Sequence, residues 1–522
     1  MSDSDLELDS LDSPDAPLTT PTATQPKWQP PWLSPRASRL HALKAWLRRR
    51  RSWTYMLCVA ACIYVLVCLL RRVPLLASPL PGYTGPHAVG SVDVEVPLAA
   101  PQRIADTLFR DTRAPAFELE TVLFTLYYPV ARGARSPPLP AHPWIDRPLS
   151  LAAEGYARFA HVNSFITRPV FTLALWLVAG GLTVPAEVDG PLLGSEGGHA
   201  GHLPVMVFSH GAAASRTDYT AYLGELASRG HVVAALEHRD GSCPGSLVRL
   251  PDKPARRVLP FSEGDLAGAV DAPRLKTEQL AFRDAEVAEA IRVLRDINDG
   301  RGDDVYAANT RGEGATFSGW TNRLDFSRLV LGGHSYGAAL ALQSLAHTPS
   351  AAGGIILDPG KSSGPLNASV ATPLLVVHSD SWSRAHSLFH GRPHFDAVRD
   401  LVRGVLDRTG AAWFLTSIGT AHPSVSDAPL IEPLLLRWTT GAHMDVRGAM
   451  RQYVRVSVEF LDFLATDKAK GLLAEEVTHE KYGEWVSKAR EQSFPKDLAS
   501  LWEIHVSPAS DKPGFISDSR RV

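Results

Sequence analysis

The feature that most constrains the fold of this chain is a serine flanked by glycines between an apolar run and a helix-forming segment. Residues 329–331 (Leu-Val-Leu) lead into Gly333-His334-Ser335-Tyr336-Gly337, and residues 338–344 are rich in alanine and leucine. A strand, Gly-x-Ser-x-Gly and a helix, in that order, are what a nucleophile elbow requires. The glycines permit a tight turn, and the helix directs its partially positive N-terminus at the serine. The sequence therefore predicts Ser335 as a nucleophile and not as part of a structural turn.

Strand and helix patterns alternate along most of the chain. From residue 203 onwards, apolar runs of strand length end at residues 208, 236, 331, 357, 377 and 418. We expect antiparallel edge strands over residues 92–96 and 121–128, and long helices over 277–298 and 450–464. Alternating strands and helices favour a mostly parallel sheet covered by helices on both faces. The predicted class is α/β, and the elbow makes the α/β-hydrolase fold the specific expectation.

A serine hydroxyl needs a base to take its proton, and the base needs an acid to orient it. In this topology the chain order is serine, acid, histidine. Asp358 follows the strand after the elbow and is the expected acid; the alternative is a turn aspartate, because Asp358-Pro359-Gly360 is a good turn sequence. His422 follows the last predicted strand and is the preferred base, since reactive residues collect at the carboxyl ends of parallel strands. The alternative bases are His378, His386, His390, His394 and His443.

The tetrahedral intermediate of such a reaction carries an oxyanion that requires N–H donors. We expect one donor to be the backbone N–H of Tyr336, directly after the nucleophile. The other should come from the loop after an earlier strand, His210-Gly211-Ala212-Ala213, and we assign it to the Ala212 N–H. No metal or other cofactor is expected, and nothing in the polar loop around His390 and His394 indicates a metal.

The N-terminal part of the chain is not globular in composition. Residues 1–51 are acidic at first, then rich in proline and threonine, and end in four consecutive arginines, 48–51, so we expect a disordered tail. Residues 52–72 are almost entirely apolar and predict a transmembrane helix; a buried core helix would carry a polar face, and a cleaved signal peptide would begin nearer the N-terminus. The excess of basic residues before this span predicts a single-pass type II anchor, which Arg71 and Arg72 oppose without reversing. The tail would be cytosolic and the catalytic domain lumenal or extracellular.

The remaining boundaries follow from composition. Residues 73–91 read as a linker, 92–470 as the catalytic domain, and 471–522 as a charged C-terminal extension without an assigned function. Cys58, Cys62 and Cys68 lie in the predicted span and leave Cys243 alone in the rest of the chain, so no disulfide framework is expected. Asn367-Ala368-Ser369 is a glycosylation sequon, which agrees with a lumenal location.

Two further observations bear on partners. Residues 170–182 are apolar but too short to cross a membrane comfortably. A buried helix is the favoured interpretation, and a lid or an interfacial helix suited to a lipid substrate is the alternative. The formal net charge of -2 provides no basic field for nucleic acid, so none is expected as a partner.

With these residues placed, the chain resembles the platelet-activating-factor acetylhydrolases, the lipoprotein-associated phospholipase A2 family (1-alkyl-2-acetylglycerophosphocholine esterases). The resemblance covers about residues 80–470 and is carried by VFSHGAAASRTDYTAYLGELASRGHVVAALEHRD (207–240), GGHSYGA at the elbow, GIILD (354–358) and GTAHPSVSD (419–427). It implies a calcium-independent esterase that releases short or oxidised sn-2 acyl groups from phospholipids. It also implies Ser335 as nucleophile, Asp358 as acid, His422 as base, and Ala212 and Tyr336 as oxyanion donors.

The chain departs from this family pattern in two ways. Family members often have an aromatic residue after the acid, whereas Pro359-Gly360-Lys361 stands here, so the acyl pocket is expected to differ. The membrane anchor is not a feature of the secreted members. The alternative functions are a general carboxylesterase or lipase, and a non-catalytic hydrolase-fold binding protein. The last would predict loss of a triad residue, and none is missing.

Overall fold

The structure, a computed structural model, describes residues 35–71, 75–130, 139–194, 201–384, 387–389 and 391–511. The described residues separate into two compact units, whose boundary lies between Val67 and Cys68. The helix α1 (Pro35–Arg71) forms the described part of the first unit and continues for its last four residues past the boundary. Its segment Lys44–Cys68 is long and apolar enough to cross a membrane. Residues 35–51, predicted as part of the disordered tail, are therefore helical, because leucine, alanine and arginine dominate them and all favour a helix. The rest of that tail, residues 1–34, and Arg72 lie outside the described residues.

The second unit contains the strands and the remaining helices. The strands are β1 (Ala88–Arg103), β2 (Glu118–Val130), β3 (Glu187–Val188), β4 (Leu203–Ser209), β5 (Val232–Leu236), β6 (Ser246–Val248), β7 (Arg256–Val258), β8 (Leu324–His334), β9 (Ala351–Leu357), β10 (Leu374–Ser379), β11 (Leu388–Phe389), β12 (Arg392–Pro393), β13 (Ala412–Ser417), β14 (His479–Lys481), β15 (Glu484–Trp485) and β16 (Trp502–Val506). The helices are α2 (Leu149–Phe159), α3 (Thr167–Ala179), α4 (Thr220–Ala227), α5 (Ala272–Asp296), α6 (Gly302–Ala308), α7 (Tyr336–His347), α8 (Asp380–Arg384), α9 (His394–Thr409), α10 (Ala428–Ile431), α11 (Pro433–Thr440), α12 (Val446–Thr466), α13 (Lys488–Ser493) and α14 (Lys496–Ala499).

One large sheet organises this unit, with the strand order β16-β13-β10-β9-β8-β4-β5-β2-β1-β3. The six strands from β13 to β5 in that order are parallel. The strand β2 pairs antiparallel with β5 and with β1, as expected for the predicted edge strands. The elbow strand β8 lies in the middle of the sheet, so its carboxyl end opens between those of β4 and β9.

Both faces of the sheet are covered, as the strand–helix alternation predicts. Along β4, Val205 and Val207 belong to the core cluster that includes residues of α5, α7 and α9. Their neighbours Met206 and Phe208 belong to the cluster that includes residues of α4 and α12. Successive side chains of a strand point to opposite faces, so each central strand contributes to both cores. The fold is that of an α/β-hydrolase, as predicted.

The segment predicted as a C-terminal extension completes the sheet. The strand β16 pairs antiparallel with β13, and Trp502 and Ile504 are fully buried. The large sheet therefore extends to Val506, and a domain boundary at residue 470 is wrong. Residues 502–506 alternate apolar and polar side chains as a strand does, but the run is short and follows a long charged segment. The predicted linker also ends earlier than residue 91, because β1 begins at Ala88.

The apolar helix predicted within residues 170–182 is α3, and it is not buried. Among its residues Ala179 alone is buried, whereas Val170, Leu173 and Trp176 are exposed. The favoured interpretation of a core helix is therefore wrong. Only the end of the helix, Val178 and Ala179, packs against the core on the α4 and α12 side, and the rest turns an apolar surface outwards. An exposed apolar surface of this kind is typical of a site that contacts another protein or a membrane.

Candidate active site

The elbow has the predicted strand–turn–helix geometry. Ser335 lies between the end of β8 and the start of α7, with φ 57° and ψ -116°. A Cβ atom on Gly333 would lie 2.2 Å from the carbonyl oxygen of Gly337, and one on Gly337 would lie 2.0 Å from the carbonyl oxygen of Ser209. No side chain fits at either position, so the two glycines of the motif are required by backbone packing.

Backbone hydrogen bonds attach Ser335 to the neighbouring strand end. Its N–H donates to the carbonyl of Leu357 at 2.9 Å, and its carbonyl accepts from the N–H of Gly360 at 3.0 Å. These two partners flank Asp358, which follows the last residue of β9. The position of Ser335 is therefore fixed relative to that of Asp358.

Asp358 is buried and accepts hydrogen bonds on both carboxylate oxygens. The backbone N–H of Ser379 donates to Oδ1 at 2.6 Å, and the Ser379 hydroxyl donates to Oδ2 at 2.7 Å. The ring Nδ1 of His422 lies 2.9 Å from the same Oδ2. A carboxylate can only accept, so Nδ1 carries the proton and Nε2 has the free lone pair that a general base needs. The structure thus brings Ser335, Asp358 and His422 to one edge of the sheet, where Asp358 does more than form a turn.

Two aromatic rings contact the His422 imidazole, whose side chain is 30 % exposed. The indole of Trp382 stacks on it with ring centres 3.9 Å apart and planes 11° apart. The centre of the His334 ring lies 4.4 Å from that of His422, with the planes inclined by 37°. The backbone N–H of His422 donates to the Ser381 hydroxyl at 3.1 Å. Sequence reasoning missed Ser379, Ser381 and Trp382, although all three lie at the carboxyl end of β10, next to the strand that carries the acid.

Three of the other candidate histidines are described by the structure, and none of them forms a hydrogen bond with Asp358 among the described residues. His378 and His394 are buried, with ring centres 5.6 Å apart, and Nδ1 of His378 lies 3.2 Å from the Ser383 hydroxyl. His443 is exposed. The remaining alternatives, His386 and His390, lie outside the described residues.

One group in the described part of the chain has the spacing of a metal site. Single polar atoms of His334, Asp358 and His422 all lie within 4.8 Å of one another. Asp358 and His422 already face each other across a hydrogen bond, and a metal between them would have to displace its proton. The donor set therefore fits an acid–base pair better than a metal ligand set.

The predicted oxyanion loop runs directly against the nucleophile. A Cβ atom on Gly211 would lie 3.2 Å from the Cβ of Ser335. The N–H of Ala213 donates to the carbonyl of Ser242 at 2.8 Å and is therefore engaged, whereas Ala212 is exposed beside the serine. Tyr336 is the first residue of α7, and the first N–H groups of a helix have no partner within the helix.

Buried polar groups hold this loop in one conformation. Nε2 of His210 accepts from the N–H of His238 at 3.1 Å, so its Nδ1 donates to the carbonyl of Gly211 at 2.7 Å. Burial, together with the charge of Arg283, lowers the pKa of His210 to about 3 and keeps it neutral. Arg283 donates to the carbonyl of His210 at 2.9 Å and pairs with Asp240 at 2.8 Å. The loop is therefore organised before any substrate arrives.

A second buried network links the oxyanion loop to the edge strands. Arg216 donates to Asp93 at 2.8 Å and to Asp146 at 2.7 Å, and its backbone N–H donates to Glu237 at 3.0 Å. Its Nε also donates to Thr125 on β2 at 2.9 Å. Burial alone would raise the pKa of Asp93, but the charge of Arg216 holds that pKa well below its ordinary value. The network ties β1, β2 and the end of β5 to the loop after β4.

Three comparisons place this geometry among known proteins. The family model described as platelet-activating factor acetylhydrolase, isoform II, matches residues 76–478. The chain is 30% identical over 272 residues to "Putative phospholipase A2" of Schizosaccharomyces pombe, covering 50% of this chain and 57% of that protein. It is 26% identical over 319 residues to a platelet-activating factor acetylhydrolase of Cavia porcellus, covering 59% of this chain and 62% of that protein. It thus aligns with less than two thirds of either relative.

A solved ferulic acid esterase from Streptomyces cinnamoneus superposes with a TM-score of 0.48 at 18% identity, over 77% of this chain and 96% of that one. The fold assignment rests on the strand order and not on this likeness. The sequence similarity and the arrangement of Ser335, Asp358 and His422 are independent observations of the same region.

Proposed function

Because the chain belongs to the platelet-activating factor acetylhydrolase, isoform II, family, we propose that it is a serine esterase acting on phospholipids with short or oxidised sn-2 acyl groups. The observation that carries the proposal is the hydrogen bond between Asp358 and Nδ1 of His422, with Ser335 attached to the strand end that bears Asp358. That arrangement leaves Nε2 of His422 to act as the base. Ser335 is then the nucleophile and Asp358 the orienting acid.

The reaction proceeds through an acyl-enzyme. Nε2 of His422 takes the hydroxyl proton as Oγ of Ser335 bonds to the acyl carbonyl carbon. The C–O bond to the glycerol oxygen then breaks, and His422 returns its proton to that leaving alcohol, which departs as the lysophospholipid. Water repeats the sequence and releases the carboxylic acid. Asp358 remains ionised throughout and stabilises the imidazolium.

The oxyanion is stabilised by the N–H groups of Ala212 and Tyr336. This assignment is supported by the contact of Gly211 with Ser335 and by the engagement of the neighbouring Ala213 N–H with Ser242. Each such donor contributes about 3–4 kcal/mol to transition-state stabilisation in comparable sites. Since N–H donors and an imidazole perform every step, the proposed reaction is independent of calcium.

A lipid substrate is supported by the exposed apolar surface of α3. Phe165 and Ile166, just before the helix, are 84 % and 62 % exposed, and Leu173 is 56 % exposed. This exposed apolar surface suits contact with a lipid surface. We therefore propose that α3 lies at the membrane interface during hydrolysis.

The membrane topology is a proposal of the same kind. We propose that residues 52–72 form a single-pass type II anchor, with residues 1–51 cytosolic and the catalytic domain lumenal or extracellular; the apolar helix found over Lys44–Cys68 supports an anchor in this region. The arginines 48–51 support this orientation under the positive-inside rule. Endoglycosidase sensitivity of the sequon at Asn367 would test it, and protection of that site from glycosylation in microsomes would contradict it.

The central test uses the full chain in detergent with EDTA present. We expect hydrolysis of acetyl phospholipid and labelling by a fluorophosphonate probe, both abolished by Ser335→Ala and retained by Ser362→Ala at an exposed serine. If wild type showed neither hydrolysis nor labelling, the proposed enzymatic activity would be refuted and a non-catalytic binding protein favoured. Equal rates on acetyl and long-chain sn-2 substrates would favour a general carboxylesterase or lipase. That function is the second candidate because no aromatic residue follows Asp358.

The lipid surface has its own test. We expect Leu173→Asp to reduce binding of a chain lacking residues 1–72 to phosphatidylcholine vesicles, because a charge opposes insertion of α3. Val486→Asp, at an exposed apolar residue of the C-terminal region, is the matched control. Equal vesicle binding by the two variants would contradict the placement of α3 at the membrane.

A further inference from the structure

Trp382 connects the proposed acid to the proposed base. Its indole N–H donates to the carbonyl of Pro359, the residue after Asp358, at 3.0 Å. Its ring face stacks on His422 at 3.9 Å and 11°. We propose that Trp382 is a positioning residue of the hydrolysis, which fixes the plane of the His422 ring and stabilises its imidazolium form. This inference rests on the roles proposed above for Ser335, Asp358 and His422.

Lys361 also contacts Trp382. The ammonium of Lys361 lies 4.4 Å from the centre of the indole ring and donates to the backbone carbonyl of Trp382 at 2.8 Å. Both Lys361 and Pro359 belong to the loop that follows Asp358. Trp382 is therefore attached to the loop that follows Asp358 by two hydrogen bonds and a cation–π contact, which an incidental aromatic contact would lack.

A hydrogen bond to Asp358 fixes only one corner of the His422 ring. The ring could still tilt about that corner and carry Nε2 away from the Ser335 hydroxyl. The stacked face of Trp382 blocks this tilt on the side that it covers, and the nearby His334 ring restricts the space left to the imidazole. Misplacement by about 1 Å is enough to cost about 100-fold in rate, so this restraint has kinetic weight.

The stack also acts on charge. His422 becomes an imidazolium in both acylation and deacylation, and a cation over the face of an indole is attracted by its π electrons. The neighbouring His334 is buried and stays neutral, because burial holds its pKa well below the ordinary value, and so does not repel the imidazolium. The ammonium of Lys361, 4.4 Å from the centre of the indole ring, competes for the same π electrons and limits the gain.

The experiment is a series of fluorinated tryptophans at position 382 of the full chain. Fluorine withdraws π electrons with little change in size, so kcat should fall steadily from tryptophan through the monofluoro and difluoro to the tetrafluoro residue. We expect a total loss of about fivefold to tenfold in kcat, with KM within twofold of wild type. The same residues placed at Trp438, which is 84 % exposed, should leave both constants unchanged.

Two simple variants extend the test. Trp382→Leu should lower kcat about tenfold or more, and Trp382→Phe, which keeps a stacking ring but loses the N–H, should recover most of that loss. If Trp382→Leu does not fold, the fluorinated series decides, because it preserves the side-chain volume. A flat kcat across that series, or an effect carried by KM alone, would overturn the inference.

The outcomes separate this inference from the proposed function. If wild type shows no hydrolysis that depends on Ser335, both fail together. If wild type hydrolyses acetyl phospholipid, Ser335→Ala abolishes it, and the fluorinated series is flat, only the role of Trp382 is refuted. A graded series with an intact Ser335 dependence supports both.

Discussion

Replacing Gly337 by alanine should disable the site while leaving most of the fold intact. A Cβ atom at this position would lie 2.0 Å from the carbonyl oxygen of Ser209 and 2.7 Å from that of His210. Real Cβ contacts essentially never fall below 3.0 Å, so the start of α7 and the end of β4 must separate by about 1 Å. The obstacle is backbone on both sides and cannot rotate away. The nucleophile and the loop carrying the Ala212 N–H move apart as a result.

A displacement of about 1 Å at reacting groups costs about 100-fold in rate, and we expect that loss in kcat for Gly337→Ala. The measurement is kcat on acetyl phospholipid together with the rate of fluorophosphonate labelling, at a temperature well below the Tm of the variant. Gly82→Ala is the matched control, since a Cβ there meets nothing within 4 Å. Activity of Gly337→Ala within twofold of wild type, at unchanged Tm, would refute the packing of the elbow against the oxyanion loop.

The remaining predictions concern the acid, the buried charges and the sheet edge. Asp358→Asn should lower kcat about 10⁴-fold, with fluorophosphonate labelling slowed in parallel; rapid labelling would show that another group orients His422. Arg216→Met should lower the free energy of unfolding by about 3–5 kcal/mol, because it leaves the buried carboxylates of Asp93 and Glu237 without their partner. Arg103→Met, at an exposed ion pair, should change that free energy by under about 1 kcal/mol. Equal Tm shifts in the two variants would contradict this. The pKa of Asp93 in the folded protein lies below its ordinary value of 3.8. The stabilisation from the Asp93–Arg216 pair is therefore present above about pH 4 and is lost as the pH falls below that value. In urea titrations, the free energies of unfolding of wild type and Arg216→Met should converge in acid. Truncation after residue 500 should lower Tm sharply by removing β16, whereas truncation after residue 511 should not; two equally stable products would exclude β16 from the cooperative unit.

The central part of this fold is predictable from the sequence because each local signal agrees with its neighbours. The elbow motif, the apolar strands and the position of Asp358 after β9 all indicate one edge of one sheet, and the strands of that sheet are confirmed. His422 follows the same rule. The tail offered no periodic pattern, so its disorder was predicted from composition alone. Residues 35–51 are helical because their arginine and leucine residues have high helix propensity, which the average over the whole tail concealed.

The missed features depend on tertiary contacts that no local pattern encodes. Trp382 is one of twelve tryptophans in the chain, and only the turn after β10 brings it onto His422. The burial of β16 depends on pairing with β13, about ninety residues earlier in the chain. The exposure of α3 could not be derived from its apolar composition, because a core helix and a membrane-facing helix present the same residues.

The segment Glu237-His238-Arg239-Asp240 looks like a solvent-exposed loop in the sequence, yet all four side chains are buried. A polar residue in the sequence is therefore not a reliable sign that its position tolerates substitution in this protein. A mutagenesis library that varies charged positions freely would lose most of its members in these four codons, whereas the apolar codons of α3 would accept wide variation while the domain still folds. Engineering of substrate range should therefore begin at α3 and leave residues 237–240 untouched.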